Sequence, residues 1–218
     1  MSAALLFDLD GCLVDSTPVI TACLDHALVT SAGHASRDPD ELRWAVGPPL
    51  LRSVQQLLGP DADPRAVTAC IDAYRDRYRA SAGTLTAVFD GIPALLDDLA
   101  TVATLAVVTS QPQPIASWLL GEVGLADRFV AIHGPGVEVE GEPKHETLVR
   151  ALASLGVDDP ATATMIGDRS HDVAAGRQVG TATVGVTWGA GDRAELEGAG
   201  ADVIVDHVDA LREVLAAR

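Results

Sequence analysis

Two carboxylates separated by a single residue stand near the start of the chain: Asp8 and Asp10 in "LLFDLDGCLVDS", residues 5–16. Carboxylates this close repel each other unless a cation or a shared proton lies between them. The pair suits either a hard divalent metal held by oxygen ligands or a general acid/base couple. Gly11, next in line, lets the chain turn sharply. A second acidic pair follows in "MIGDRSHD" (165–172), where the four-residue spacing of Asp168 and Asp172 sets both on one side of a starting helix. Thr109 and Ser110 in "AVVTSQP" (106–112) offer hydroxyls and backbone N–H groups of the kind that bind phosphate at a helix N-terminus. Each of these stretches, taken alone, also reads as an ordinary helix cap. The fourth is "EGEPKHETL" (140–148), which holds Lys144, the only lysine in a chain whose other fourteen basic residues are Arg. Beside a carboxylate nest and a phosphate, that ammonium would neutralise negative charge.

The elements that must position these residues are legible. "ALLFDL" (4–9), "TLAVVT" (104–109), "RFVAIH" (128–133), "ATMIGD" (163–168), "TATVGV" (181–186) and "ADVIVD" (201–206) are short apolar runs that predict strands. Helical patterns such as "GIPALLDDLAT", "KHETLVRALASLG" and "SHDVAAGRQVG" alternate with them, several closed by Gly. Such alternation predicts an α/β fold with a parallel sheet covered on both faces. In such a sheet ligands bind beyond the carboxyl ends of the strands, so Asp8, Thr109 and Asp168 would open onto one edge. Residues 16–84 break the pattern. "TPVITACLDHALVTSAG", "DPDELRWAV", "PLLRSVQQLLG" and "DPRAVTACIDAYRDRYRAS" are four helical patterns without a strand, some opening on Asp-Pro or Pro. They predict a helical module, 16–84, inserted into a core formed by 1–15 and 85–218.

Composition narrows the function. A net charge of −16 repels polyanions, which argues against nucleic acid or an anionic membrane surface as partner. An acidic protein that handles an anionic substrate needs a local cation, from a metal or a few buried bases. Cys12, Cys23 and Cys70 form no CxxC, and their odd number fits a reducing compartment and a cytoplasmic location. The apolar run before Asp8 is too short for a secretory signal. No run approaches the ~20 apolar residues of a membrane span. The six histidines lack zinc spacing.

"FDLDGCLVDS", "VVTS", Lys144 and "GDRSHD" together, in this order and spacing, resemble the four motifs of the haloacid dehalogenase-like superfamily, and within it a phosphoglycolate-phosphatase-like member. The likeness extends over nearly the whole chain, including "VGPPLLRSV" and "GVTWGAGDRAELEGAGAD". It implies a Rossmann-like core with an inserted helical cap, and a Mg2+-dependent phosphatase acting on small phosphate monoesters through an aspartyl-phosphate. The resemblance assigns Asp8 as nucleophile and Asp10 as general acid/base. It assigns the metal to Asp8, the Asp10 main-chain carbonyl and Asp168, with Asp172 in support. Thr109, the Ser110 N–H and Lys144 would hold the phosphoryl group. Arg52, in the segment where cap meets core, is the candidate for substrate selection. The implied partner is a small phosphorylated metabolite, and the implied assembly a monomer or homodimer.

Two positions depart from the family pattern. Cys12 stands where relatives carry Thr, at a side chain no step uses. Lys144 opens a helix rather than preceding a proline, as in some relatives. A phosphomutase on the same core and a phosphoacceptor without turnover are the alternative readings. A dehalogenase has no use for Asp10, and the helical segment lacks the lysine that a phosphonate-cleaving relative would need. His171 and the three tryptophans read as solvated or packing residues.

Overall fold

The computed structural model describes residues 3–137 and 141–216. Six parallel strands form one sheet in the order β5-β4-β1-β6-β7-β8. They are β1 (Ala3–Phe7), β4 (Ala103–Val108), β5 (Ala131–His133), β6 (Ala163–Gly167), β7 (Ala182–Val186) and β8 (Val203–Val205). From β1 the chain builds outward to β4 and β5, then returns across β1 to build β6, β7 and β8 on the other side. The carboxyl end of β1 is therefore the topological switch point, where open α/β sheets leave a crevice.

Alternation along β1 shows why both faces are covered. Leu5 and Phe7 join one apolar cluster, while Ala4 and Leu6 join a second with Met165, Leu148 and Leu152. The second face is closed by α7 (Lys144–Ser154) and α8 (Ser170–Val179). The first carries α5 (Ile92–Leu99), α6 (Gln113–Glu122) and α10 (Val208–Ala216), the last an addition to the expected helices. A short α9 (Arg193–Ala199) lies between β7 and β8 in the chain.

Two further strands, β2 (Val14–Asp15) and β3 (Ala87–Val88), pair antiparallel in a sheet of their own. Between them run α1 (Thr17–Ala32), α2 (Pro39–Leu42), α3 (Leu50–Leu58) and α4 (Pro64–Leu85), so this is where the stretch read as an inserted module lies. Local chemistry fixes their ends. Asp63 accepts the Arg65 N–H at 2.9 Å, with Pro64 in the first turn of α4. Asp38 caps α2 in the same way, and Gly33 closes α1 in the left-handed conformation. Helix α1 packs along α4. Their side chains Leu24, Cys70 and Ile71 belong to the same apolar cluster as Phe7 of the central strand.

Three expected elements are clearly shorter than their patterns, and of these "ADVIVD" is strand only over Val203–Val205. "DPDELRWAV" yields only the four-residue α2 and a 3-10 turn over Arg43–Ala45, which Val46 ends in an extended conformation and Gly47 turns away from at φ +101. "RFVAIH" begins with a 3-10 turn at Ala126–Arg128 and becomes strand only at Ala131.

Candidate active site

Strand β1 ends at Phe7, and the Asp8 N–H still bonds to Ile166 O at 2.8 Å, extending the pairing with β6 by one residue. That bond sets Asp8 at the sheet edge, buried. Gly11 turns the chain with φ +87; a Cβ there would stand 2.2 Å from Asp168 Oδ2, so no side chain fits. Asp168 follows β6 directly. Its Oδ2 accepts the N–H groups of Ala190 (2.7 Å) and Gly191 (3.4 Å). Asp172 lies in the first turn of α8 and accepts the Arg169 N–H at 3.0 Å.

Lys144 is the first residue of α7 and is only 6% exposed. Its Nζ is 2.6 Å from Asp8 Oδ1 and also contacts Asp172 Oδ1. A lysine is rarely buried unless paired, and here two carboxylates pair it. Burial works to lower its pKa, but Asp172 and Asp8 raise it above the ordinary value, so it stays an ammonium. Burial also works against the charge on Asp172, yet Lys144 and His171 hold that carboxyl below its usual range. Asp8 is pushed up by burial, against the pull of Lys144. Burial, reinforced by Asp172, lifts Asp168 to about 7.

The four motifs converge. Thr109 follows β4, its N–H bonds to His133 O at 3.0 Å, and its hydroxyl accepts the Gln111 N–H at 3.1 Å. Asp10 is buried, and its Oδ2 accepts the Gln111 side-chain amide at 2.6 Å. Burial raises the Asp10 carboxyl, while Ser16 and Gln111 draw it back. Ser110, Gln111 and Asp10 line a pocket bounded on its other side by Leu24, Tyr74 and Tyr78 of the inserted segment.

The side chains suit a hard divalent cation. Asp8 Oδ2 and Asp168 Oδ1 are buried oxygens with no hydrogen-bond partner among the described residues. When ionised, the carboxylates of Asp8, Asp168 and Asp172 against one ammonium leave two negative charges, and the raised pKa of Asp8 and Asp168 reflects their burial together with that surplus. Asp8, His171 and Asp172 also place ligand atoms within 4.8 Å of one another. The expectation for His171 needs revision: it sits beside the acidic nest, with Nε2 3.9 Å from Asp172 Oδ1, and burial lowers its pKa to about 4. Arg52 lies on α3. It is exposed and does not line the pocket, because α3 turns Leu50 and Leu51 to that side instead. Gln111 and Tyr78 were not foreseen. Gln111 adjoins the Thr109–Ser110 motif, which is a signal of sorts; Tyr78 has none.

Contacts away from the nest tie the inserted segment to the sheet. The Arg169 Nε donates to Glu195 at 3.0 Å, while its guanidinium donates to the carbonyls of Trp44 and Val46. Arg43 reaches Gly189 O at 2.6 Å. Cys12 is buried, and burial raises its thiol well above the usual value, in keeping with a side chain that takes no part in chemistry.

The haloacid dehalogenase-like hydrolase family model matches residues 5–186. The chain belongs to the haloacid dehalogenase-like hydrolases. It is 37% identical over 216 residues to the tyrosine-protein kinase PtkA of Mycobacterium tuberculosis, covering 97% of this chain and 72% of that protein. It is 36% identical over 213 residues to a 5'-nucleotidase of Pseudomonas aeruginosa, covering 97% and 94%. The crystal structure of a predicted phosphatase from Clostridium acetobutylicum superposes with a TM-score of 0.92 at 34% identity, covering all of both chains. In this haloacid dehalogenase-like hydrolase, no helix among the described residues is long and apolar enough to cross a membrane.

Proposed function

We propose that this hydrolase is a Mg2+-dependent phosphatase that cleaves small phosphate monoesters by way of a phosphorylated Asp8. The observation that carries the proposal is the Asp8 carboxylate at the switch point of the sheet, with the lone lysine 2.6 Å away and one oxygen free of partners among the described residues. An anionic nucleophile and an anionic substrate meet only where positive charge offsets their repulsion. Mg2+, held by Asp8, Asp168 and the Asp10 carbonyl with Asp172 in support, would supply that charge and polarise a phosphoryl oxygen.

The chain's own residues account for the rest. Asp8 attacks phosphorus and the ester P–O bond breaks. Asp10 gives its proton to the departing oxygen. A water then attacks the phosphorylated Asp8, Asp10 takes the proton from it, and inorganic phosphate leaves. Thr109, the Ser110 N–H and Lys144 hold the phosphoryl oxygens throughout. Residues 16–84 act as a cap over a core of 1–15 and 85–218, and their seating keeps bulk water from the first step. The substrate is a small phosphorylated metabolite handled in the cytoplasm by a monomer or homodimer, with neither nucleic acid nor membrane as partner.

The test is phosphate release from a panel of monoesters, including phosphoglycolate, nucleoside monophosphates and sugar phosphates, with and without Mg2+. Steady turnover that chelator abolishes and Mg2+ restores is expected. Full activity in excess chelator would remove the metal from the proposal. A single stoichiometric phosphorylation without turnover would replace the phosphatase with a phosphoacceptor.

A further inference from the structure

Proton transfer through Asp10 needs one of its oxygens kept available to the ester oxygen and then to water. A carboxyl rotates about its Cβ–Cγ bond, so burial alone does not fix which oxygen is available. Gln111 does. Its Nε2 donates to Asp10 Oδ2 at 2.6 Å, and Oδ1 is left without a hydrogen-bond partner among the described residues. The same nitrogen, using its other hydrogen, donates to the Tyr78 hydroxyl at 2.9 Å. With the transferable proton on Oδ1, Oδ2 is an acceptor whether Asp10 is protonated or ionised, so the amide nitrogen, not its oxygen, is the atom that faces it.

Three parts of the machinery meet at this one side chain. Gln111 follows β4 in the sheet, and its backbone N–H bonds to Thr109 Oγ1 at 3.1 Å. Tyr78 belongs to α4 of the inserted segment, is buried, and stacks on Tyr74 with ring centroids 5.7 Å apart. Tyr78 and Gln111 lie 33 residues apart in sequence, and Gln111 and Asp10 lie 101 apart. The orientation of the acid therefore depends on where α4 sits.

We propose that Gln111, itself held by Tyr78, is a positioning residue that commits Asp10 Oδ1 to proton transfer and makes that commitment conditional on the seating of α4. The inference rests on the phosphatase reading above and adds a residue and a condition to it. Removing the amide frees the Asp10 carboxyl to rotate, so the leaving oxygen departs without a well-placed proton. Esters whose leaving group needs no proton are spared.

The experiment uses a matched pair of substrates, p-nitrophenyl phosphate and p-nitrobenzyl phosphate. They differ by one methylene, but only the benzyl alkoxide needs protonation to leave. In kcat/KM, which reports steps through the first P–O cleavage, Gln111→Ala should lose about 10^2-fold on the benzyl ester, the scale of general acid catalysis. On the phenyl ester the loss should stay within about threefold by the same reasoning. Tyr78→Phe keeps the ring and removes only the hydroxyl, and should show the same ester selectivity at smaller size. In an Asp10→Asn background, Gln111→Ala should add nothing on the benzyl ester, since there is no acid left to position. Equal losses on both esters, in variants that melt like wild type, overturn the proposal while leaving the phosphatase reading standing. An undiminished rate on the benzyl ester for both Gln111→Ala and Tyr78→Phe overturns it as well. Wild-type protein that turns over neither ester with Mg2+ overturns the phosphatase reading and this inference together.

Discussion

Asp8 and Asp10 are two residues apart in sequence, yet they lie in surroundings of different kinds. Asp8 is held by an ion cluster: Lys144 from the start of α7, Asp172 from the start of α8 and Asp168 from the end of β6. Every member belongs to the sheet and its covering helices. Asp10 is held by a neutral group, Gln111, which is bonded in turn to Tyr78 of the inserted helices. The first arrangement needs no other part of the molecule to be in place. The second is complete only when α4 is seated. The contrast suits the two roles proposed for them. A nucleophile must have its charge managed at all times, and strong pairing among groups of the sheet and its covering helices does that. An acid/base group must exchange a proton with whatever arrives, and neutral contacts shared with the inserted helices leave room for it.

The contrast can be broken most severely at Asp8. Asp8→Asn should abolish turnover, with a loss of about 10^3-fold or more, because an amide is no nucleophile and the set acts as a unit. The far-UV circular dichroism should be unchanged; a variant that keeps a tenth of wild-type activity would end the assignment. Asp10→Asn should be nearly as damaging but different in kind. The second step lacks its base, so phosphorylated enzyme should accumulate, and mass spectrometry of acid-quenched protein should find the added group on the peptide carrying Asp8.

Lys144 gives a smaller and sharper test. Lys144→Arg looks conservative in a chain whose other basic residues are all Arg. The ammonium sits 2.6 Å from Asp8 while touching Asp172, a compact space for a point charge. A planar guanidinium needs more room and another approach. The expected loss in kcat/KM is at least about tenfold for Arg and about 10^2-fold for Ala. Wild-type kinetics in a folded Lys144→Arg protein would mean that the ion cluster serves stability alone.

The smallest effect separates structural ties from catalytic ones. Glu195 accepts from Ser170 and Arg169, which in turn holds the carbonyls of Trp44 and Val46. Burial works to raise the Glu195 carboxyl, but the Ser170 N–H and hydroxyl and the Arg169 guanidinium bring it below its ordinary 4.5. A depressed folded pKa means stability that is present above the unfolded value and lost as pH falls through the folded one. Glu195→Gln should therefore melt a few degrees below wild type at neutral pH, for a loss of about 1 kcal/mol at this partly exposed pair. The gap should close as pH drops below 4.5. A gap that persists in acid would show that packing, rather than charge, accounts for the difference.

Much of this was legible in the sequence for physical reasons. The strands are short apolar runs closed by polar residues, so their carboxyl ends, and hence Asp8, Thr109 and Asp168, could be located one by one. Lys144 was visible because nothing else in the chain is a lysine. Other features lie beyond any local pattern. The β2–β3 pair consists of two-residue strands, too short to show a period, joined across the whole inserted segment. The Asp10–Gln111–Tyr78 chain depends on residues brought together only by the fold. His171 read as solvated because sequence shows its acidic neighbours but not that its side chain is half-buried against them. For Arg52 the segment was legible but not the facing of its side chains: the segment lines the pocket, and on helix α3 the neighbours Leu50 and Leu51 take the inward positions.

The burial of Lys144 has a consequence for the protein as a chemical object. With one lysine in 218 residues, and that one 6% exposed between two carboxylates, the folded surface offers no lysine side chain to acylating reagents or to lysine-modifying enzymes. Whatever acyl group a mild anhydride leaves on a lysine can be on one atom only. Its rate of appearance there, followed by mass on a single peptide, would time how often the nest opens to solvent.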